Sequence, residues 1–221
     1  MSAAADLPFL LPIFPLPNLV FFPKTRVPLH IFELRYRQMI ADALAGDKQI
    51  GIVLPRAGWE SEYYGSPPVH GCGTVGRIEN SVMLDDGRYN ILLHGEVRFR
   101  IVDEVKEAAP YRVVRAVAQP EVAAPPAEAY AHREWLSELS RVYLQYLPGQ
   151  MEVPEIETVG LDALTNALVM SLNLGAEEKQ QMLELDDVIL RADRVARELK
   201  QRIETLQFLA PYRMGTDPTS N

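Results

Sequence analysis

Histidine and cysteine, the usual zinc ligands, are few in this 221-residue chain, with four histidines and one cysteine. Two pairs could begin a mixed metal site: His30 precedes Glu33 by three residues, and His70 precedes Cys72 by two. A zinc site needs three or four ligands, and the spacing indicates no third one. We therefore expect no metal and no other cofactor. We expect His30 to be a buried or half-buried ring at the start of a helix, hydrogen-bonded to backbone or to Glu33.

Three glycines form a literal G-x-G-x-x-G at Gly71, Gly73 and Gly76. A dinucleotide site needs such glycines to follow a strand and to open a helix whose N-terminus meets the pyrophosphate. Here two prolines precede them, and a strand-like run follows. The pattern therefore predicts a glycine-rich strand packed closely against its neighbours. The sequence contains no G-x-x-x-x-G-K-[ST] phosphate loop and no G-x-S-x-G nucleophile elbow, so it indicates no catalytic residues.

Aromatic side chains concentrate in a loop at residues 55–70, which carries Trp59, Tyr63 and Tyr64. Aromatic residues on a loop either cover the core or face a partner, and Trp and Tyr are enriched at binding hot spots. Both interpretations stay open. The three residues are our candidates for partner binding.

Basic residues recur every third position at the C-terminal end of the chain, at Arg191, Arg194, Arg197 and Lys200. Acidic residues lie among them, and cations suit the C-terminal half of a helix dipole. The stripe is typical of a solvated helix face, and the alternative is contact with nucleic acid or an acidic protein.

The elements that position these residues differ between the two halves of the chain. Short, partly β-branched runs bounded by Gly, Pro or Asp predict strands in the first half. They comprise residues 50–54, 72–78, 89–93, 97–102 and 111–118. The segment Asp85-Asp86-Gly87 predicts a hairpin, and alternation places Arg98 and Arg100 on a wet strand face. Apolar residues from Phe32 to Leu44 predict an amphipathic helix that ends at Gly46 in a left-handed conformation.

Helical periodicity dominates after residue 122. It predicts stripes through Trp135, Leu139, Val142 and Tyr146, through Leu161, Leu164, Leu168 and Leu172, and through Val188, Val195, Leu199, Ile203 and Leu206. A short helix is expected over 177–183, with Asp186 or Asp187 capping the helix that follows. We expect two domains, a β-rich region at 1–122 and a helical bundle at 123–221.

Charge and composition limit the possible partners. The chain has 30 acidic and 22 basic residues, and its net charge of −8 argues against a general nucleic-acid binder and against anionic membranes. The apolar stretch at 7–22 carries four prolines and no preceding Lys or Arg, so we interpret it as extended core-lining chain and not as a signal peptide. A single cysteine suits a reducing compartment. We expect a cytoplasmic protein.

Several segments resemble the N-terminal domain family of Lon protease. The segment P-L-H-I-F-E-L-R-Y at 28–36 resembles the family's P-L-H/N-I-F-E-P-R-Y signature, with Leu34 in place of the usual proline. G-C-G-T-V-G at 71–76, L-L-H-G-E-V-R-F at 92–99 and K-Q-Q-M-L-E at 179–184 with Asp187 are similar to later family motifs, in the same order. The resemblance covers roughly residues 8–210.

The resemblance implies an α+β fold, a PUA-like β pseudo-barrel followed by a C-terminal helical bundle. In Lon this region precedes an ATPase and a Ser-Lys protease, and it helps to recognise polypeptides and to assemble the oligomer. The chain ends before either enzyme region, so the resemblance implies a free-standing, bacterial-type, non-catalytic member. It leaves the partner's identity and the oligomeric state open.

Three functional hypotheses follow from these observations. The first is a polypeptide-binding module whose β domain and bundle meet in a groove with an open apolar patch that includes Trp59 or Tyr63. The second is a PUA-like RNA-binding protein that uses arginines of the β face, although the net charge speaks against nucleic acid. Those arginines are Arg77, Arg98, Arg100 and Arg115. The third, a small-ligand enzyme, lacks a recognisable set of catalytic groups.

Overall fold

The computed structural model describes residues 7–59, 66–106, 109–146 and 159–213. The described chain divides into two compact units. The first extends to Val122 and also contains Asn166–Asp186, and the second contains the rest. The expected division into 1–122 and 123–221 stays a prediction.

The first unit is built on a six-stranded sheet, counted over the described residues. Its strands are β1 (Phe9–Pro15), β2 (Arg26–Ile31), β3 (Gln49–Pro55), β4 (Val69–Met83), β5 (Tyr89–Val105) and β6 (Val113–Gln119). They lie in the order β2-β5-β4-β3-β1-β6, with β1 and β3 parallel and the other pairs antiparallel. Strand β6 also pairs with β5, so five strands close into a ring and β2 lies outside it, paired with β5.

Five helices complete the described structure. They are α1 (Leu34–Ala45), α2 (Pro126–Leu144), α3 (Leu161–Ser171), α4 (Ala176–Leu183) and α5 (Val188–Arg213). The mixed α+β class expected from the sequence is confirmed. Among the described helices, none combines the length and the apolar character that crossing a membrane requires.

Two apolar clusters form the core of the first unit. One joins α1, through Tyr36, Met39 and Ile40, to the inner faces of β2, β4 and β5. The other lies within the closed ring and centres on the fully buried Phe99. The proline-rich segment after residue 7 supplies residues to both clusters, as expected for core-lining chain.

The glycine-rich pattern lies on strand β4, as predicted. A Cβ at Gly73 would lie 2.4 Å from the carbonyl oxygen of Ile52 on the neighbouring strand, so no side chain fits there. The predicted hairpin is also confirmed: Gly87 has φ 77°, and its N–H donates to the Leu84 carbonyl 2.8 Å away. The predicted left-handed stop at Gly46 is wrong, since Gly46 has φ −111° and the positive φ of 59° falls at Lys48.

In the second unit, α2 packs against α5. The predicted α5 stripe is confirmed, with Val188, Val195, Leu199 and Ile203 buried. Asp187 caps α5, because its Oδ1 accepts from the backbone N–H of Ile189 at 2.8 Å. One expectation is wrong here: Arg191 is buried and not on a solvated face. On α2, Trp135, Leu139 and Val142 of the predicted stripe are half-buried, and Leu136 beside them is buried.

Candidate functional site

An open cavity of about 170 Å³ lies in the first unit, and we call it the apolar groove. The ends of β1, β2 and β3 and the start of α1 line it, together with the chain near residues 59 and 67. The lining residues are Phe14, Pro15, Leu16, Pro17, Leu29, His30, Phe32, Glu33, Arg35, Tyr36, Pro55, Trp59, Pro67 and Arg112. Apolar and proline side chains predominate, and the charged groups are few.

The floor of the groove is rigid because its aromatic rings belong to the core. Tyr36 is buried on α1, and its ring centroid lies 4.2 Å from that of Phe14 on β1. The Arg35 guanidinium lies over the Tyr36 ring at 4.6 Å and is held by Glu33, with 3.1 Å between Nη2 and Oε2. These contacts fix the arginine as part of the wall.

Large apolar side chains remain accessible at the mouth of the groove. Phe32, in the turn between β2 and α1, is 60% exposed although it is large and aromatic. Trp59 also lines the groove and is half-buried. Tyr63 and Tyr64, the other two candidate partner-binding residues, lie outside the described residues. The sequence pattern places Phe32 on the apolar face of the predicted helix, so it is not among the predicted partner-binding residues.

A second, wider cavity of about 580 Å³ shares Arg35, Tyr36 and Arg112 with the groove. Arg112 is held there by both carboxylate oxygens of Glu104, each at 2.8 Å. Tyr111 also lines this cavity and donates its hydroxyl to Asp42 Oδ2 at 2.7 Å. Partial burial, together with the bond to this carboxylate, raises the pKa of Tyr111 to about 12.

His30 does not have the surroundings expected of it. It lies on β2 and is exposed, and its Nδ1 is 2.7 Å from Asn90 Oδ1 while its Nε2 is 3.2 Å from Arg88 Nη1. Its ring stacks beside Phe32, with centroids 6.3 Å apart. The expectation of a buried ring at a helix start is wrong, because the helix begins only at Leu34.

The arginines proposed for RNA binding are largely committed to other groups. Arg98 was expected on a wet strand face but is fully buried, so this expectation is wrong. Arg77 pairs with Glu96, and Arg115 Nε lies 2.9 Å from Asp103 Oδ1. Arg100 is exposed, as the alternation predicts.

Arg98 instead holds the chain that follows α4. Its guanidinium donates to the carbonyl oxygens of Leu183 at 2.9 Å, Leu185 at 3.1 Å and Pro120 at 3.2 Å, and to Asp186 Oδ1 at 2.9 Å. The carbonyls at the end of a helix have no partners within the helix, and a positive charge is favourable there. Arg98 is therefore a structural cap for α4.

Metal-ligating and nucleophilic side chains would indicate a chemical role for the described residues. No group of three or more His, Cys, Asp or Glu side chains in the described ranges could hold a metal ion. His70 faces two carboxylates, with Nε2 3.3 Å from Glu177 on α4 and Nδ1 3.6 Å from Glu184 just after α4. The lining of the apolar groove, as far as it is described, includes no Ser, Thr or Cys that could act as a nucleophile.

Comparison with known families agrees with this description. The family model for the ATP-dependent protease La (LON) substrate-binding domain matches residues 10–201. The chain belongs to this family. Among curated relatives, Lon protease 2 of Myxococcus xanthus is 31% identical over 210 residues, and Lon protease of Anaeromyxobacter dehalogenans is 29% identical over 210 residues. Each alignment covers 92% of this chain but only 25% and 24% of the relative, so the chain spans about a quarter of their length.

Two solved structures share the fold of this LON substrate-binding domain. The N-terminal domain of Mycobacterium avium complex Lon protease has a TM-score of 0.68 at 19% identity, covering 89% of this chain and 98% of that one. A Lon N-terminal domain protein from Xanthomonas campestris has a TM-score of 0.61 at 22% identity, covering 85% and 96%. The suspected resemblance to Lon N-terminal domains is thereby confirmed.

Proposed function

We propose that this chain is a non-catalytic polypeptide-binding module whose site is the apolar groove. The observation that carries the proposal is an accessible aromatic and proline lining on a rigid floor, with Phe32 60% exposed at its mouth. Exposed large apolar side chains around a concave site favour contact with another chain. Membership in a substrate-binding family supports the same role.

The charged groups of the groove contribute more to the orientation of a bound polypeptide than to its affinity. Glu33 holds Arg35, and Glu104 holds Arg112, so both guanidinium groups are already neutralised. A substrate therefore gains most of its binding free energy from apolar contact with Phe32, Trp59 and the proline side chains. Binding of this kind depends only weakly on salt.

Several further features belong to the same proposal. We propose that the first unit is a PUA-like pseudo-barrel, supported by the ring that β5 and β6 close. The proposal retains a C-terminal helical bundle over 123–221, supported by the packing of α2 against α5, and a β-rich region at 1–122. It also retains a cytoplasmic location and a polypeptide partner, with no nucleic acid or membrane as ligand.

The test measures the binding of a fluorescein-labelled, chemically unfolded polypeptide by fluorescence anisotropy. Phe32→Ala and Trp59→Ala each remove an aromatic ring from the groove, and each should weaken binding roughly tenfold or more. Met83→Ala is the matched control, because Met83 is 65% exposed but does not line the groove. It should bind like the unaltered chain.

Repeating the anisotropy measurement at increasing salt concentration distinguishes a polypeptide-binding module from an RNA-binding protein. Affinity for the polypeptide should change little between low and moderate salt, whereas phosphate-driven binding falls steeply. If no unfolded polypeptide binds, or if Phe32→Ala and Met83→Ala weaken binding equally, the groove is not the site.

A further inference from the structure

Strand β2 forms one edge of the sheet, and this edge lies along the apolar groove. In the strand order β2 is terminal and pairs with β5 alone among the described strands. Leu29 and His30 of β2 line the groove, as do Phe32 and Glu33 just beyond it. A polypeptide in the groove would therefore run beside strand backbone.

The hairpin joining β4 and β5 determines which backbone groups of β5 face β2. Leu84 N–H donates to the Arg88 carbonyl at 2.8 Å, and hydrogen-bonded pairs alternate along an antiparallel ladder. The next hydrogen-bonded pair between β4 and β5 is then Val82 with Asn90. Consequently the backbone groups of Tyr89 and Ile91 point the other way, toward β2.

On β2, those groups meet Ile31 and Leu29, which lie opposite Tyr89 and Ile91. The backbone groups of the alternate residues, Pro28 and His30, therefore point away from β5. The position of Pro28 independently supports this orientation of β2, because proline in a sheet is tolerated where its missing N–H faces an open edge. By this alternation the N–H and C=O of His30 face the open edge, and the backbone bonds described outside the strands include none to His30.

We propose that the groove holds its polypeptide as an added strand, antiparallel or parallel to β2 and hydrogen-bonded to the backbone of His30. This inference rests on the proposed polypeptide-binding function. A backbone N–H and C=O that face an open strand edge can form hydrogen bonds with the C=O and N–H of an extended peptide. The carbonyl of Pro28 supplies a further acceptor, whereas its ring nitrogen supplies no donor, so the pairing is short and centred on His30.

Charge favours a bound segment without excess positive charge. The described lining of the groove and the adjoining cavity contains Arg35, Lys106 and Arg112 against Glu33 and Glu104, in a chain whose net charge is −8. Since Glu33 pairs with Arg35 and Glu104 with Arg112, Lys106 leaves this described lining with one net positive charge. We choose as probe a fluorescein-labelled decapeptide of alternating leucine and serine with a glutamate at each end.

The first experiment is amide hydrogen exchange by NMR on the full chain. Without peptide, the His30 amide should exchange fast, whereas those of Leu29 and Ile31 are protected by β5. Saturating peptide should slow exchange at His30 by tenfold or more and leave Leu29 and Ile31 nearly unchanged. An unchanged His30 amide, with the peptide bound, would overturn strand addition.

The second experiment removes the donor itself. His30→Pro deletes the N–H and His30→Ala keeps it, so the difference between the variants isolates the backbone bond from the ring. We expect His30→Pro to bind the peptide roughly 2- to 12-fold more weakly than His30→Ala, the range for one net hydrogen bond. Equal affinities of two variants with the circular dichroism of the original chain would contradict the proposal.

Peptide variants test the same bond on the unaltered protein, even if His30→Pro fails to fold. A single N-methyl group moved along the peptide should weaken binding at alternate positions only, because every second N–H of an added strand faces β2. Uniform loss along the peptide, with Phe32→Ala still weakening binding, would leave the groove as the site and remove the added strand. If no peptide binds at all, the polypeptide-binding function itself fails.

Discussion

Replacing Arg98 by Met should be among the most destabilising single changes in the first unit. The fully buried guanidinium donates four hydrogen bonds, three of them to backbone carbonyls near the end of α4 and at Pro120. Met is similar in length and apolar, so the change removes the donors without opening a large cavity. The carbonyls then lose their partner inside the protein.

The magnitude follows from two opposing contributions. Hydrogen bonds from a charged donor contribute about 1.5–3 kcal/mol each, so four would amount to far more than the usual cost of one substitution. Removing the charge also recovers its desolvation penalty, and Asp186 can return to water because its side chain is 55% exposed. What remains is the cost of three carbonyl oxygens without this donor, about 1–3 kcal/mol each where they stay buried, so we expect the free energy of unfolding to fall by about 3–5 kcal/mol.

The assay is urea unfolding followed by Trp59 fluorescence, in a Trp135→Phe background so that only the first unit is observed. Arg100→Met is the control on the same strand, where the arginine is exposed, and it should change stability by less than about 0.5 kcal/mol. Asp186→Asn should cost less than Arg98→Met because the carbonyl bonds persist. A loss below about 1 kcal/mol for Arg98→Met would refute the role of Arg98 as a cap.

Three other changes test local parts of the structure. Gly73→Ala should lower the free energy of unfolding by about 1–3 kcal/mol, because its Cβ would meet the Ile52 carbonyl at 2.4 Å, whereas Gly71→Ala has open space and should be nearly neutral in urea titrations. Asp187→Ala removes the α5 cap and should cost about 1 kcal/mol in thermal unfolding, a loss that Asp187→Asn should largely avoid. The pKa of Tyr111 is raised to about 12 from an ordinary value near 10, so the unfolded chain loses this proton first as pH rises. Stability should then decline between about pH 10 and 12, a decline missing from Tyr111→Phe, and ultraviolet titration should show one late tyrosine absent from that variant.

Local signals were sufficient for the elements whose form depends on neighbouring residues. The hairpin at Asp85-Asp86-Gly87 follows from turn chemistry, and α1 follows from its periodic apolar residues. Strand β2 received no prediction, because it is short and Pro28 lies in its middle. The predicted left-handed conformation at Gly46 is wrong because glycine permits a positive φ without requiring one.

Strand alternation alone could not predict which of the two arginines on β5 is buried. Alternation correctly puts Arg98 and Arg100 on one side of β5, but it does not say whether that side is covered. The cover at Arg98 comes from Leu183, which lies 85 residues further along the chain. A local sequence pattern does not report a tertiary contact over this distance. For this reason Arg98 is predicted on the surface, whereas the structure buries it as a cap of α4.

In the candidate site, too, residue type and local setting predict one lining residue, Trp59, but not the other, Phe32. Trp59 was identified because its residue type and loop setting favour binding, and the structure places it in the lining of the groove. Phe32 has the same chemistry but was assigned to a helix face. The start of α1 at Leu34 leaves it in the preceding turn instead.

The segment 28–36, which carries the most specific family resemblance, combines two requirements within nine residues. Ile31 and Tyr36 face the core and are buried, so they fix the backbone on either side of the turn. Between and beside them, His30 offers an open strand edge and Phe32 an exposed ring to the same groove. Because the anchoring residues lie next to the exposed ones, this edge of β2 cannot shift without unpacking α1 from the sheet. If the proposed strand addition holds, this arrangement would bind an extended chain on a preorganised edge without a moving part.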